Sequence, residues 1–183
     1  MEVKMYTLFI DTHQNTNLSI FKNKLVLKSL SSNELRQSTI IMPLLNQLFV
    51  ETNISINDIE EIIVVNGPGS FTGVRLGVTI AKTIAYMLNI SIKTITSLEL
   101  KAIMDDFKND FYGIKDTKGI YVGKVKEKSL ELMYKKSSEV DETNIITDVT
   151  YDFKKLINYK DNLKNINPHL VNPIYVKKIE AQK

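Results

Sequence analysis

Apolar residues along the first hundred positions fall into short blocks with two different periods. Residues 5–10 form an apolar run that ends at Asp11, which predicts a buried strand. Residues 18–21 and 25–27 flank Lys22-Asn23-Lys24, the pattern of a hairpin with an Asn-containing turn. Ser31 and Glu34 stand at capping-box spacing. After them Leu35, Ile41, Leu44, Leu45, Leu48 and Phe49 recur at close to 3.6 residues, so a helix is expected from about residue 34 to residue 50. Pro43 inside it should bend it or mark a packing feature. A strand is expected at 58–65, a second helix at 72–88, a strand at 91–95 and a third helix at 98–107.

The order strand, hairpin, helix, strand, helix, strand, helix predicts a mixed sheet with helices packed on it, an α/β layout. Composition shifts near Asn109. Short strands are expected at 112–114, 120–126 and 130–134, whereas residues 139–167 are polar and poorly patterned and predict disorder or loose helix. Asn167-Pro168 and Asn172-Pro173 are turn signals. The chain is therefore divided into a first lobe, 1–108, and a second, 109–183. It contains no internal repeat.

The 183 residues are 43% hydrophobic, enough to bury a core. There is no cysteine, which rules out disulfides, thiol nucleophiles and Cys-based zinc sites and fits a reducing compartment. The apolar part of residues 1–11 is too short for a secretory signal. No run approaches the roughly 18 apolar residues of a membrane span. A soluble, cytoplasmic protein is expected. Net charge is a mild +3. Lys124, Lys126 and Lys128 alternate as on one face of a strand, which reads as a lysine-protected solvent face. An RNA-facing stripe is the other reading, but no aromatic residues interleave with them.

The densest motif is NGPGSFTGVRLG at 66–77. It follows a predicted strand and opens a predicted helix. A phosphate loop of the Gly-x-x-x-x-Gly-Lys-Ser/Thr type fails here because Val74-Arg75 follow Gly73. A dinucleotide fingerprint fails on the spacing of the third glycine and on the missing acidic residue. What survives is a glycine-rich turn at a helix N-terminus, with free amides and Ser70 or Thr72 as cap. Arg75 one turn in is unfavourable to the helix dipole and suggests an anion or carboxylate partner. The two histidines, His13 and His169, lie far apart and predict no metal site. Ser70 sits in Gly-x-Ser-x-x-Gly, not in a nucleophile elbow. Asp11 at the end of the first strand either caps the turn Thr12-His13-Gln14 or binds a metal–phosphate.

Four stretches in fixed order carry a resemblance: IDT at 10–12, MPLLNQLF at 42–49, DIEEIIVVNGPGSFTGVRLG at 58–77 and AKTIAYML at 81–88. Together they closely resemble the TsaB (YeaZ) family, small partner proteins of threonylcarbamoyladenosine synthesis on tRNA. The resemblance covers residues 5–98 and is looser over 110–183. It implies an actin-like (ASKHA, ribonuclease H-like) fold with a complete first lobe and a shortened second one. Full enzymes of this fold carry an Asp and a Gly beside the phosphates after the first strand; here Asp11 is kept, but Thr12-His13 follow. TsaD, the catalytic relative, carries a His-x-x-x-His metal pair, where this chain has Gln37 and Ile41. Many TsaB relatives have a histidine where this chain has Gln37, a further departure.

The resemblance thus implies a pseudoenzyme without catalytic or metal residues, a scaffold that binds and activates a TsaD-like transferase. A TsaE-like ATPase would be a third subunit, and tRNA would be reached only indirectly. No cofactor of its own is expected. ATP or ADP at the subunit junction is left open, bordered by Asp11, Gly67, Gly69, Ser70, Thr72, Gly73 and Arg75. The partner surface is expected on Ile41, Met42, Leu45, Leu48 and Phe49 of the first helix, which is apolar on more than one face. The second helix is expected to add the small-residue face Val74, Val78, Ala81 and Ala85. Without its partner such a surface predicts a homodimer. The rival reading is a nucleotide-binding ATPase or kinase of the same fold. A protease, the third, has no nucleophile–base pair here.

Overall fold

Nine strands and four helices carry the chain in a computed structural model that describes residues 5–127 and 129–176. A six-stranded sheet has the order β3-β2-β1-β4-β5-β9. Its centre is parallel: β1 (Tyr6–Asp11), β4 (Ile59–Val65) and β5 (Ile92–Ile95) run side by side. Strands β2 (Thr16–Lys22) and β3 (Leu25–Ser32) extend it as an antiparallel meander, and β9 (Asn165–Ile166) closes the far edge antiparallel to β5. Asn23 takes a left-handed conformation at the β2–β3 turn, as an asparagine tolerates.

Helices cover both faces, which is why the central strands read as unbroken apolar runs. On one face α1 (Gln37–Thr52) and α2 (Phe71–Leu88) bury Leu44, Leu45, Leu48, Val74, Val78 and Ala81 against Leu8, Ile10, Ile62 and Val64. On the other, α3 (Ser97–Met104) and α4 (Phe153–Tyr159) pack on Phe9, Phe21, Ile63 and Val65. Phe153 meets Phe9 edge-on with ring centres 5.4 Å apart. Strands β6 (Phe111–Asp116), β7 (Gly119–Lys126) and β8 (Ser129–Lys136) form a second, antiparallel sheet. It packs Tyr112 and Ile114 onto Leu98 and Ala102 of α3.

Several expectations are corrected. No capping box forms at Ser31: β3 continues through Ser32, and α1 begins at Gln37 with no side-chain cap. Leu35, read as an inward position, is almost fully exposed. α1 runs through Pro43 without a break. α3 ends at Met104, because Asp106 and Phe107 turn to positive φ. Residues 139–167, expected to be loose, are built: Ile146 bridges to Tyr112, α4 forms, and β9 joins the first sheet. The chain beyond residue 109 therefore does not stay in a separate lobe. Its later half returns to the first sheet, where Leu156, Ile157 and Val171 are buried. Of the alternating lysines, Lys124 and Lys126 are exposed on β7 and Lys128 lies outside the described residues.

Candidate functional site

The parallel strands bring Asp11, Asn66 and Thr96 to one end of the sheet, the carboxyl end, where open α/β sheets place their ligand crevice. Asp11 is fully buried there. One oxygen accepts from the backbone N–H of His13 at 3.0 Å and faces its ring Nδ1 at 2.7 Å. The other accepts from Asn17 at 3.2 Å and from the Tyr151 hydroxyl at 2.7 Å. Burial alone would raise the carboxyl's pKa; the His13 imidazole and the hydrogen bonds from His13 and Tyr151 hold it below the usual carboxylate range. Of the two readings of Asp11, the geometry is that of the turn cap, with every acceptor position taken by the chain itself.

The glycine motif forms the adjoining loop. The Ser70 N–H donates to the His13 carbonyl at 2.7 Å, and its hydroxyl caps α2 by accepting from the Gly73 N–H at 3.3 Å. Thr72, the other cap candidate, is exposed. The motif's glycines are required by close approach. A Cβ at Gly69 would lie 2.5 Å from the His13 carbonyl oxygen, and one at Gly73 only 2.2 Å from that of Thr12. Gly67 has φ +104° and its carbonyl accepts from the Ser97 N–H at 3.0 Å. The motif is thus a turn that seats α2 against the end of β1.

Arg75 has no carboxylate partner among the described residues. Its guanidinium lies 3.8 Å over the Phe71 ring, and its Nε donates to the Tyr175 hydroxyl at 2.8 Å. Aromatic contact offsets the unfavourable dipole. Lys101, on α3, is buried within electrostatic reach of Asp11 and donates to the Thr147 carbonyl at 2.5 Å. Burial lowers its pKa, a shift that Asp148 and Asp11 partly offset.

The expected partner surface moves. Ile41, Leu45, Leu48, Val74, Val78, Ala81 and Ala85 are all buried within the first core, so they have no area left to offer. Phe49 is partly covered by the same core. Only Met42 stands clearly outside, 56% exposed. The outward apolar side chains are instead Met42 and Val50 on α1, and Phe71, Tyr86 and Met87 on α2, with Leu170 and Tyr175 beside them. Sequence reasoning missed Tyr86 and Met87, although both fall off the helical stripe set by Val74, Val78, Ala81 and Ala85. Gln37 is buried and donates to the Gln14 carbonyl at 2.9 Å, and Ile41 is a core residue. Neither offers a strong metal ligand, and no cluster of three or more metal-ligating side chains occurs among the described residues. No helix there is long and apolar enough to cross a membrane.

Comparison with known proteins bears on this arrangement. The family described as "TsaD: tRNA N6-adenosine threonylcarbamoyltransferase" matches residues 33–112. The "tRNA threonylcarbamoyladenosine biosynthesis protein TsaB" of Bacillus subtilis is 46% identical over 61 residues, 33% of this chain and 27% of that one. Its namesake from Buchnera aphidicola subsp. Schizaphis graminum is 33% identical over 97 residues, 52% of this chain and 46% of that one. The solved structure "YeaZ from Pseudomonas aeruginosa" superposes with a TM-score of 0.75 at 13% identity, covering 93% of this chain and 99% of that one. Over these stretches the chain is similar to TsaB proteins, and its fold is that of YeaZ. The fold is accordingly the actin-like, ASKHA arrangement, and a second YeaZ-like structure from Pseudomonas aeruginosa matches it with a TM-score of 0.78 at 13% identity, over 94% of this chain and 100% of that one. The matched stretches span less than half the length of those two TsaB relatives, 27% and 46%.

Proposed function

We propose that this chain is a non-catalytic subunit in the formation of threonylcarbamoyladenosine on tRNA, which binds and activates a TsaD-like transferase. The observation that carries the reading is the apolar outer face of α1 and α2, where Met42, Val50, Phe71, Tyr86 and Met87 are each more than half exposed. The inner stripe of the helix pair is already buried, Phe71 and Tyr86 keep more than half their surface exposed despite contacts with Arg75, Tyr175 and His169, and aromatic and Met side chains of this kind favour interfaces. The relatives' names support a place in this pathway, and the likeness to the TsaD family is in keeping with a partner of that kind. The chain's own carboxylate at the strand end is spent on its own turn, which supports a scaffold over an ATPase.

Light scattering on a sizing column tests this, with the chain alone and mixed with the TsaD protein of the same organism. The expected result is a one-to-one complex that replaces any homodimer. Tyr86→Glu with Met87→Glu, both outward, should weaken the complex at least about tenfold while leaving the far-UV circular dichroism unchanged. A chain that stays alone in the presence of TsaD and binds ATP at micromolar concentration would favour the enzyme reading. A TsaE-like ATPase, ATP or ADP beside Arg75 at the subunit junction, and indirect access to tRNA belong to the same proposal.

A further inference from the structure

Residues 145–153 cross from the second sheet to the strand end that carries Asp11. At the near end Ile146 is held by the second sheet: its N–H donates to the Phe111 carbonyl at 3.1 Å and its carbonyl accepts from the Gly113 N–H at 2.9 Å. Thr147 then takes the Lys101 ammonium on its carbonyl. Val149 and Tyr151 pack into the second core, and the Tyr151 ring lies 5.7 Å from that of Phe153, which seats on Phe9. The Asp152 N–H points at the Met104 sulfur at 3.1 Å. The Tyr151 hydroxyl reaches across 140 positions of sequence to donate to Asp11.

We propose that residues 145–153 are a built-in strap that shuts the crevice at the carboxyl ends of β1 and β4, with the Tyr151 hydroxyl as its latch on Asp11. A carboxylate at this end of an open α/β sheet is placed to meet a metal ion or a ligand donor. Here the chain supplies that donor itself, so the carboxylate is kept from outside ligands while the strap is down. The strap also ties the second sheet to the first, because its two ends are held on different sheets. The inference rests on the geometry of this chain alone and stands or falls independently of partner binding.

Hydrogen exchange read by mass spectrometry on the isolated full chain tests it, comparing the wild type with Tyr151→Phe, Asp11→Asn and the double variant. Tyr151→Phe keeps the ring in the core and removes only the latch. Losing a hydrogen bond to a charged group should speed exchange of the strap amides about tenfold or more. The double variant should be no faster there than Tyr151→Phe alone, since without the hydroxyl residue 11 has no latch left to lose. Unchanged exchange in the strap of Tyr151→Phe would overturn the latch, as would a rise spread evenly over the whole molecule. Occlusion is read separately with Mn2+ alone, by the resonance signal of the free ion. The wild-type chain should show no Mn2+ binding that Asp11→Asn removes; binding that vanishes in Asp11→Asn would show an open crevice and overturn the strap as a cover.

Discussion

Glu61 shows how a charged residue is kept inside this protein. Its two oxygens receive the ammonium groups of Lys93 at 2.8 Å and Lys160 at 2.9 Å, all three side chains being less than a tenth exposed. Thr7 adds a hydroxyl at 3.0 Å. Burial alone would raise the carboxyl's pKa, but the two lysines hold it below the ordinary value. A lowered folded-state value means that the unfolded chain takes up its proton first as pH falls. The stabilisation is therefore present above the usual glutamate pKa and is lost as pH drops through the lower, folded one. Urea midpoints for wild type and Glu61→Gln should differ at neutral pH and converge in acid. At neutral pH the variant leaves two buried ammonium groups without an anion and should cost on the order of 3 kcal/mol. Nothing local in the sequence announces this triad, since Lys160 is 99 positions from Glu61. Asp11 was legible as a strand-end carboxylate because it closes an apolar run. Its partner Tyr151 was not, for the same reason of distance.

The elements that were legible are those whose periodicity is set by burial on a known face. The hydrophobic run of β4 is read directly because helices bury both of its faces, and the stripe of α2 because it packs against one layer. Helix ends were read unevenly: α2 ends at Leu88 as expected, whereas α1 runs past residue 50 to Thr52. Both close on an asparagine, Asn53 and Asn89, in the left-handed conformation. Asn89→Gly should leave thermal stability nearly unchanged, whereas Asn89→Ala should cost about 1 kcal/mol, because a Cβ without a local polar group disfavours that conformation. The glycine motif was legible as a turn, but not the reason for its glycines. Gly73→Ala would drive a methyl into the Thr12 carbonyl and break the hydrogen bond from the Thr12 hydroxyl to the Gly73 carbonyl, 2.6 Å in the wild type. A loss of roughly 1–3 kcal/mol is expected in urea unfolding, from overpacking between α2 and β1. The same disruption at Arg75 should be milder. Arg75→Ala leaves Phe71 and Tyr175 exposed but removes only surface contacts, and its cost should stay under about 1 kcal/mol.

Over the whole molecule, the division drawn at residue 109 separates two sheets but not two folding units. α3 is shared, with Leu100 and Ile103 facing one core and Leu98 and Ala102 the other. The later chain adds a second tie by returning to the first sheet. Unfolding should accordingly follow one transition, with fluorescence of the tyrosines and circular dichroism giving the same midpoint; two separated midpoints would contradict a shared core. The order of these pieces along the chain also has a consequence for synthesis. β5 is complete at residue 95, yet the strand that pairs its outer edge ends at residue 166. A growing chain on the ribosome must hold that edge open for the several seconds in which the intervening residues are made. During this time the bare backbone of β5 is an invitation to foreign strands, so a nascent-chain chaperone should be found on intermediates that stop short of β9 and be released once it has emerged.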